Sequence, residues 1–148
     1  MLNNNEYSKL EKTEYPVIIV RPSMNCNANC NHCSSPQTYK TMAAEDLCKA
    51  IINTISLKEE ITNTPTTRVN IIFHGGEPMM LGISYINTLM RLLNKKMPNI
   101  KIDYGMQTNL LLYNNYWKTM FESDIFAWRI TSSYDFYSSF RQTKTGED

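Results

Sequence analysis

The chain has 148 residues, of which 42% are hydrophobic and 20% charged, and this composition is typical of a globular protein long enough to bury a core. Its net charge is +1, so no strong field draws it to nucleic acid or to an anionic membrane surface. No basic stripe with interleaved aromatic residues indicates RNA or DNA binding, and we expect neither nucleic acid nor a membrane among its partners.

The N-terminal segment, residues 1–14, is polar and lacks the apolar run of a secretory signal. Elsewhere the chain never approaches the roughly 18 consecutive apolar residues of a membrane helix. We expect residues 1–14 to be a lead-in to one domain, residues 15–148, and the protein to be cytoplasmic. Thiols stay reduced in that compartment, so clustered cysteines indicate metal or redox ligands before they indicate disulfides.

A cysteine loop follows the first predicted strand. The strand, Pro16–Val20, is apolar on both faces and is expected to be buried on both. After it come Cys26, Cys30 and Cys33, spaced C-x3-C-x2-C, with short polar spacers that let three thiolates converge on a single point. Iron–sulfur clusters are ordinarily held by four cysteines, so a loop with three leaves one iron without a protein ligand. A metal with an open position can bind and activate a small molecule.

Helices and strands alternate along the rest of the chain. The predicted elements are a helix from an N-cap at Thr41 to about Leu57, a strand over Arg68–Phe73, a helix over Met79–Lys96, a strand over Ile100–Met106, a helix over Asn115–Ser123 and a strand over Ile125–Thr131. This order predicts an α/β fold built from right-handed parallel βαβ units. Such folds place their ligand sites at the carboxyl ends of the strands.

The second predicted strand ends in Gly75, Gly76, Glu77 and Pro78. Two glycines let the backbone approach a ligand closely, their amides can donate hydrogen bonds, and the carboxylate can accept them. Taken alone, the stretch is equally typical of a strand-to-helix turn, with the proline in the first helical turn.

Polar residues also follow the third and fourth predicted strands. The third strand leads into Gln107-Thr108-Asn109, and the fourth into Ser133-Tyr134-Asp135. Taken alone, the first is typical of a polar strand end and the second of a solvated loop.

The four motifs together resemble those of radical S-adenosylmethionine (radical SAM) enzymes, in the branch that modifies sulfatases and ribosomally made peptides. The resemblance implies a [4Fe–4S] cluster whose unique iron is chelated by SAM. It assigns cluster ligation to Cys26, Cys30 and Cys33, SAM contacts to Gly75, Gly76 and Glu77, and secondary contacts to Gln107 and Ser133. The chain departs from the pattern at His32, where an aromatic residue is usual, and at Leu110, where glycine is usual.

The resemblance also implies a fold and a reaction. The fold is a partial parallel (β/α) barrel, of which about four strands are present and the C-terminal ones are missing. In the reaction, an electron donor such as flavodoxin or ferredoxin reduces the cluster, SAM is cleaved to methionine and a 5′-deoxyadenosyl radical, and the radical abstracts hydrogen from a peptide or protein. We expect the N-terminal part of a longer enzyme or a truncated product, with a second chain as one source of the missing strands.

Two other functions remain open at this point. One is a truncated, inactive protein that still binds a cluster. The other is a zinc-stabilised binding module with His32 or Cys48 as a fourth ligand, although zinc sites usually use paired C-x2-C units. Outside the motifs, we expect Cys48 to be a buried small residue on the first helix, His74 to pack or hydrogen-bond near its strand end, and Trp117 and Trp128 to lie in the core.

Overall fold

A computed structural model of the chain describes residues 15–123, 126 and 129–132. The predicted lead-in 1–14, and Trp128 and Ser133, lie outside the described residues. The described elements are, in order, β1 (Val17–Val20), α1 (Ala44–Thr62), β2 (Arg68–Phe73), a 3-10 helix (Pro78–Leu81), α2 (Gly82–Lys96), β3 (Lys101–Gln107), α3 (Asn115–Phe121) and β4 (Ile130–Thr131). Among them, no helix combines the length and apolar character needed to cross a bilayer.

The described strands form one parallel sheet in the order β1-β2-β3-β4. Val20 is aligned with Phe73, and Phe73 with Met106, so the carboxyl ends of the first three strands finish at the same edge. Neighbours in sequence are neighbours in the sheet, with a helix in each crossover, as parallel pairing requires. The predicted α/β fold with parallel strands is confirmed.

The core lies between one face of the sheet and the helices. Strand positions on this face alternate with period two, and the helices present buried residues at intervals of three and four. The buried residues include Ile71, Phe73, Tyr104 and Met106 from the strands, Leu47, Ile51 and Ile55 from α1, and Ile86, Leu89 and Leu93 from α2. The Phe73 ring lies 6.3 Å from that of Tyr104 and 6.5 Å from that of Phe126, within the range of favourable aromatic pairs.

The other face of the sheet is more open. Val17 and Ile19 of β1 are 49% and 61% exposed. In register with them lie Asn70 and Ile72 of β2. The prediction that β1 is buried on both faces is therefore wrong, because the described helices pack into the core on the opposite face.

Several element boundaries differ from the predicted ones. β2 has the predicted bounds. Thr41 is not the N-cap of α1: it pairs with Ser23 in an isolated antiparallel bridge, and the helix starts three residues later after Ala43, without a side-chain cap. The helix continues past Leu57 and ends at Thr62, and the C-cap residue Asn63 takes the left-handed conformation (φ 47°) that suits this position.

The later elements start or stop within a few residues of the predicted positions. The predicted second helix is divided into the 3-10 helix and α2, β3 is displaced by one residue, and α3 stops two residues early at Phe121. The fourth strand is described as two residues, Ile130–Thr131.

Candidate cofactor site at the carboxyl edge of the sheet

The cysteine loop is closed at its base. Met42 N–H donates to the Pro22 carbonyl over 2.8 Å, and the Ser23 hydroxyl donates to the Lys40 carbonyl over 3.2 Å. Higher in the loop, Gln37 Nε2 donates to the Ala28 carbonyl at 2.8 Å. These bonds hold both ends of the loop beside the end of β1, so the cysteines cannot move far from the sheet edge.

The three cysteines of the loop differ in exposure. Cys26 and Cys30 are half-buried and Cys33 is exposed. Cys33 N–H donates to the Cys30 carbonyl at 3.0 Å, which forms a tight turn between the last two cysteines. Cys48, in contrast, is buried in α1 and belongs to the core, as predicted. All four cysteines are free thiols.

Gly75 and Gly76 are required by the approach of the cysteine loop. A Cβ on Gly75 would lie 2.3 Å from the Ser23 carbonyl oxygen, and one on Gly76 would lie 2.0 Å from the Asn25 oxygen. Gly75 also has φ +130°, which side chains of L residues rarely adopt. Any larger residue at either position would push the loop away from β2.

The amides of this turn are used within the chain. Gly76 N–H donates to the Ser23 carbonyl at 3.2 Å, and Glu77 N–H donates to the Asn25 carbonyl at 2.7 Å. The sequence suggested that glycine amides serve a ligand. In the structure the Gly76 and Glu77 amides donate to the cysteine loop and extend the β1–β2 pairing, and contact of this turn with SAM stays a prediction.

The Glu77 carboxylate joins the ends of two strands. Its side chain is buried, with the residue 2% exposed. Oε1 accepts from Met79 N–H at 2.9 Å and from the Thr108 hydroxyl at 2.6 Å, and Oε2 accepts from Asn109 N–H at 2.7 Å. These bonds satisfy the buried charge and cap the 3-10 helix. Sequence reasoning missed this role for Thr108 and Asn109, although their position after a neighbouring parallel strand was a usable signal.

Asn109 extends this network to the cysteine loop. Its Nδ2 donates to Asn27 Oδ1 at 2.9 Å and lies 3.9 Å from Cys26 Sγ. Its Oδ1 accepts from Leu111 N–H at 3.0 Å, which closes a turn around Leu110. Leu110 takes φ +64°, and this explains why glycine is usual there in the family pattern noted above.

A cavity of about 220 Å³ opens between the cysteine loop and the ends of β2 and β3. It is lined by Cys26, Ala28, Cys30, His32, Cys33, His74, Gly76, Glu77, Gln107, Thr108 and Asn109. The structure therefore brings together six of the eight residues singled out from the sequence. Gly75 is not part of the lining but packs against Ser23 at the start of the cysteine loop, and Ser133 lies outside the described residues.

Two further cavity residues have side-chain contacts of their own. Gln107 Oε1 accepts from the Thr131 hydroxyl at 2.5 Å, so β4 helps to hold it. His74 Nδ1 accepts from Gly75 N–H at 2.7 Å, in agreement with the hydrogen bond predicted near the end of β2.

The donors in the cavity fit an iron–sulfur cluster. Within the described ranges, no three His, Cys, Asp or Glu side chains are grouped so that they could ligate a single metal ion. The three cysteines line one cavity, and the convergence of their thiolates on a bound group stays a prediction. A cluster binds each thiolate through a different iron, so three sulfurs around a cavity suit it.

The surroundings of Cys26 favour its neutral thiol in the absence of metal. Burial raises the pKa of Cys26, the Ala28 N–H at 3.4 Å opposes that effect, and the negative charge of Glu77 adds to it. Cationic iron would reverse this balance, because a metal ion stabilises the thiolate that binds it.

Comparison with known proteins agrees with this chemistry. The family described as "4Fe-4S single cluster domain" matches residues 19–130. The chain belongs to this family. The resemblance to the sulfatase-maturing branch of the radical SAM enzymes is confirmed by the relatives described next.

The curated relatives are longer than this chain. A cysteine-type anaerobic sulfatase-maturating enzyme of Clostridium novyi is 24% identical over 112 residues, which are 74% of this chain and 30% of the relative. The corresponding enzyme of Clostridium perfringens is 27% identical over 110 residues, 68% of this chain and 28% of its own length. An uncharacterized protein of Methanothermobacter thermautotrophicus is 26% identical over 95 residues, 64% of this chain and 34% of its own. The chain thus spans about a third of the length of these relatives.

Solved structures show the same fold. The structure described as native anSMEcpe with bound AdoMet and Kp18Cys peptide superposes with a TM-score of 0.68 at 23% identity, over 90% of this chain and 36% of that one. Native anSMEcpe with bound AdoMet gives 0.67 at 23% identity, over 90% and 37%. The match covers little more than a third of each neighbouring chain, which agrees with the predicted partial barrel.

Proposed function

We propose that the chain is the cluster- and SAM-binding part of a radical SAM enzyme that acts on a peptide or protein. The observation that carries the proposal is a cavity at the carboxyl edge of the sheet that three loops share. Three consecutive parallel strands contribute to it: the loop after β1 brings the cysteines, the turn after β2 brings Gly76 and Glu77, and the end of β3 brings Gln107. Parallel α/β folds place their ligand sites at this edge.

Each group of residues has a distinct task in this proposal. Cys26, Cys30 and Cys33 ligate the cluster and leave one iron open. Gly75 and Gly76 allow the loop to lie against β2, and Glu77 fixes the end of β3 beside it. Gln107 lines the wall where SAM would bind, and Ser133 is a further contact on sequence grounds alone.

When bound, the cluster supplies the electron that cleaves SAM to methionine and a 5′-deoxyadenosyl radical. The described residues bind and orient these groups. Their cavity of about 220 Å³ is smaller than the roughly 300–1,000 Å³ of ordinary small-molecule sites, and we propose that it is one side of a larger chamber.

The names of the relatives support a peptide or protein as substrate. Both Clostridium relatives described above are named sulfatase-maturating enzymes, and the structural neighbour described with the Kp18Cys peptide also holds AdoMet. We propose that a small electron carrier such as flavodoxin or ferredoxin delivers the electron. We also propose that the reaction takes place in the cytoplasm, where the thiols stay reduced.

Anaerobic reconstitution with iron and sulfide tests the proposal. The unsubstituted chain should bind iron and sulfide, with an ultraviolet–visible and EPR spectrum that changes when SAM is added. Cys30→Ala should abolish the cluster, because it removes a ligand that lines the cavity, whereas the matched control Cys48→Ala should retain it.

Three results would contradict the assignment. The first is a chain that holds zinc and no iron, the second is a cluster spectrum insensitive to SAM, and the third is loss of the cluster in Cys48→Ala. Formation of 5′-deoxyadenosine under reducing conditions would then distinguish an active chain from one that only binds the cluster.

A further inference from the structure

The sulfur of Cys26 is approached by two N–H groups from different parts of the chain. Ala28 N–H, two residues along the loop, donates to Sγ at 3.4 Å. Asn109 Nδ2, 83 residues away at the end of β3, lies 3.9 Å from the same atom. The second contact crosses the cavity wall between the cysteine loop and the sheet.

The orientation of the Asn109 side chain is determined by its surroundings. Its Oδ1 accepts from Leu111 N–H at 3.0 Å, and its Nδ2 donates to Asn27 Oδ1 at 2.9 Å. If Oδ1 and Nδ2 of Asn109 exchanged places, Nδ2 would face the Leu111 N–H, which is also a donor. Oδ1 would then face Asn27 Oδ1, which is also an acceptor. The amino group therefore faces Cys26.

The backbone of Asn109 is also fixed by a hydrogen bond. Its N–H donates to Glu77 Oε2 at 2.7 Å, and the same carboxylate accepts from the neighbouring Thr108 hydroxyl. A hydrogen bond to an ionised acceptor is stronger than one to a neutral acceptor. Glu77 thus fixes the residue from which the side-chain amide reaches the cysteine loop.

We propose that Asn109 is a positioning residue that orders Cys26 and raises the reduction potential of the cluster held there. The proposal rests on the proposed function, since it needs a cluster in this cavity. Reduction adds one negative charge that is shared with the ligand sulfurs, and N–H groups directed at a sulfur stabilise the reduced form more than the oxidised one. Hydrogen bonds to the sulfurs are among the factors that set cluster potentials.

The test compares two isosteric variants, Asn109→Asp and Asn27→Asp. Both place one added carboxylate at nearly the same point, because the two side chains are in contact at 2.9 Å. Asn109→Asp keeps an oxygen for Leu111 N–H but removes the donor to Cys26, whereas Asn27→Asp keeps that donor. After anaerobic reconstitution, iron and sulfide per chain and the midpoint potential from an EPR-monitored titration without SAM are measured for both.

The expected result is a more negative midpoint potential in Asn109→Asp than in Asn27→Asp, at equal iron content. Equal potentials in the two variants would overturn the proposal. If Asn109→Asp takes up no iron, the neutral pair Asn109→Ser and Asn27→Ser is compared in the same way, with the same two outcomes. Absence of iron in the unsubstituted chain would instead refute the proposed function, so the two failures are distinguishable.

Discussion

Leu110 adopts a backbone conformation that glycine adopts readily and leucine rarely does. Its φ of +64° lies in the left-handed region, which costs a residue with a Cβ roughly 1–2 kcal/mol. Its side chain is 39% exposed, so burial offsets little of this cost. The turn is nevertheless retained, because Asn109 Oδ1 accepts from Leu111 N–H and Tyr113 N–H donates to the Leu110 carbonyl.

Leu110→Gly is expected to raise the free energy of unfolding by about 0.5–1 kcal/mol, since relief of the left-handed strain exceeds the added entropy of glycine in the unfolded chain. The matched control Leu110→Ala keeps the Cβ and should give no such gain. Urea unfolding followed by circular dichroism measures both. A gain of the same size in the alanine variant would show that the exposed leucine side chain, and not the backbone, is unfavourable.

At the scale of elements, one carboxylate fastens the ends of β2 and β3. The main-chain pairing of these strands stops near Phe73 and Met106, and beyond that point the Glu77 bonds to Thr108 and Asn109 continue the connection. The opposite side of the same turn is bonded to the cysteine loop through its amides. A short segment after β2 thereby fixes the wall of the cavity on both sides.

Glu77→Gln is expected to lower the free energy of unfolding by about 2 kcal/mol, the scale of a hydrogen bond to a charged group. The amide nitrogen that replaces one oxygen cannot accept from Asn109 N–H or from the Thr108 hydroxyl. Glu122→Gln is the matched control, because that carboxylate is exposed and 3.9 Å from Lys118, and it should change stability by less than about 0.5 kcal/mol. Equal urea midpoints for the two variants would contradict the role assigned to Glu77.

The elements that sequence predicted best are those with a strong local signal. β2 is bounded by a proline-containing loop and by the Gly75-Gly76 pair, and its predicted bounds are the observed ones. Thr41 has the chemistry of an N-cap, but its pairing with Ser23, eighteen positions earlier in the chain, takes it away from the helix. Such a long-range contact cannot be read from local pattern.

At the scale of the whole molecule, the buried Asp103 links β2, β3 and the segment beside β4 on the more open face of the sheet. Asp103 of β3 is 7% exposed and pairs with Arg68 of β2 and with Arg129, whose Nη1 lies 3.2 Å from Oδ1, next to β4. Burial alone would raise the pKa of Asp103. The hydrogen bond from Arg68 and the charge of Arg129 outweigh it and hold the pKa below its usual value.

This shift predicts how stability depends on pH. Because the folded-state pKa lies below the unfolded value of about 3.9, the ionised group contributes its full stability above that value and loses it as pH falls through the folded-state pKa. Asp103→Asn should lower the free energy of unfolding by about 2 kcal/mol at pH 7 and flatten its decline below about pH 4. The exposed Asp46→Asn, whose carboxylate pairs with Lys49, should do neither. Urea midpoints between pH 7 and 3 measure the effect. If the midpoints of Asp103→Asn and of the unsubstituted chain fell equally steeply below about pH 4, the role assigned to Asp103 would be contradicted.

The meeting of the motifs at one edge could be predicted from the sequence, because carboxyl ends of parallel strands share an edge whatever the side chains are. The side-chain network could not. Asn27 and Asn109 lie 82 residues apart, and nothing in either local pattern pairs them. The two glycines indicated a close backbone approach to a ligand, and the structure shows the chain's own cysteine loop at that distance. Their contact with SAM stays a prediction.

The sequential strand order also has a consequence for biosynthesis. The thiol-bearing loop leaves the ribosome well before the residue that braces it, since Cys26 and Asn109 are separated by 83 positions. At about 5–20 residues per second, this delay is roughly 4–17 s. During that interval the contacts of Asn109 with Cys26 and Asn27 are absent, whereas the hydrogen bonds at the base of the cysteine loop can already form. The site that we propose for the cluster is therefore complete, in its described residues, only after translation has passed β3.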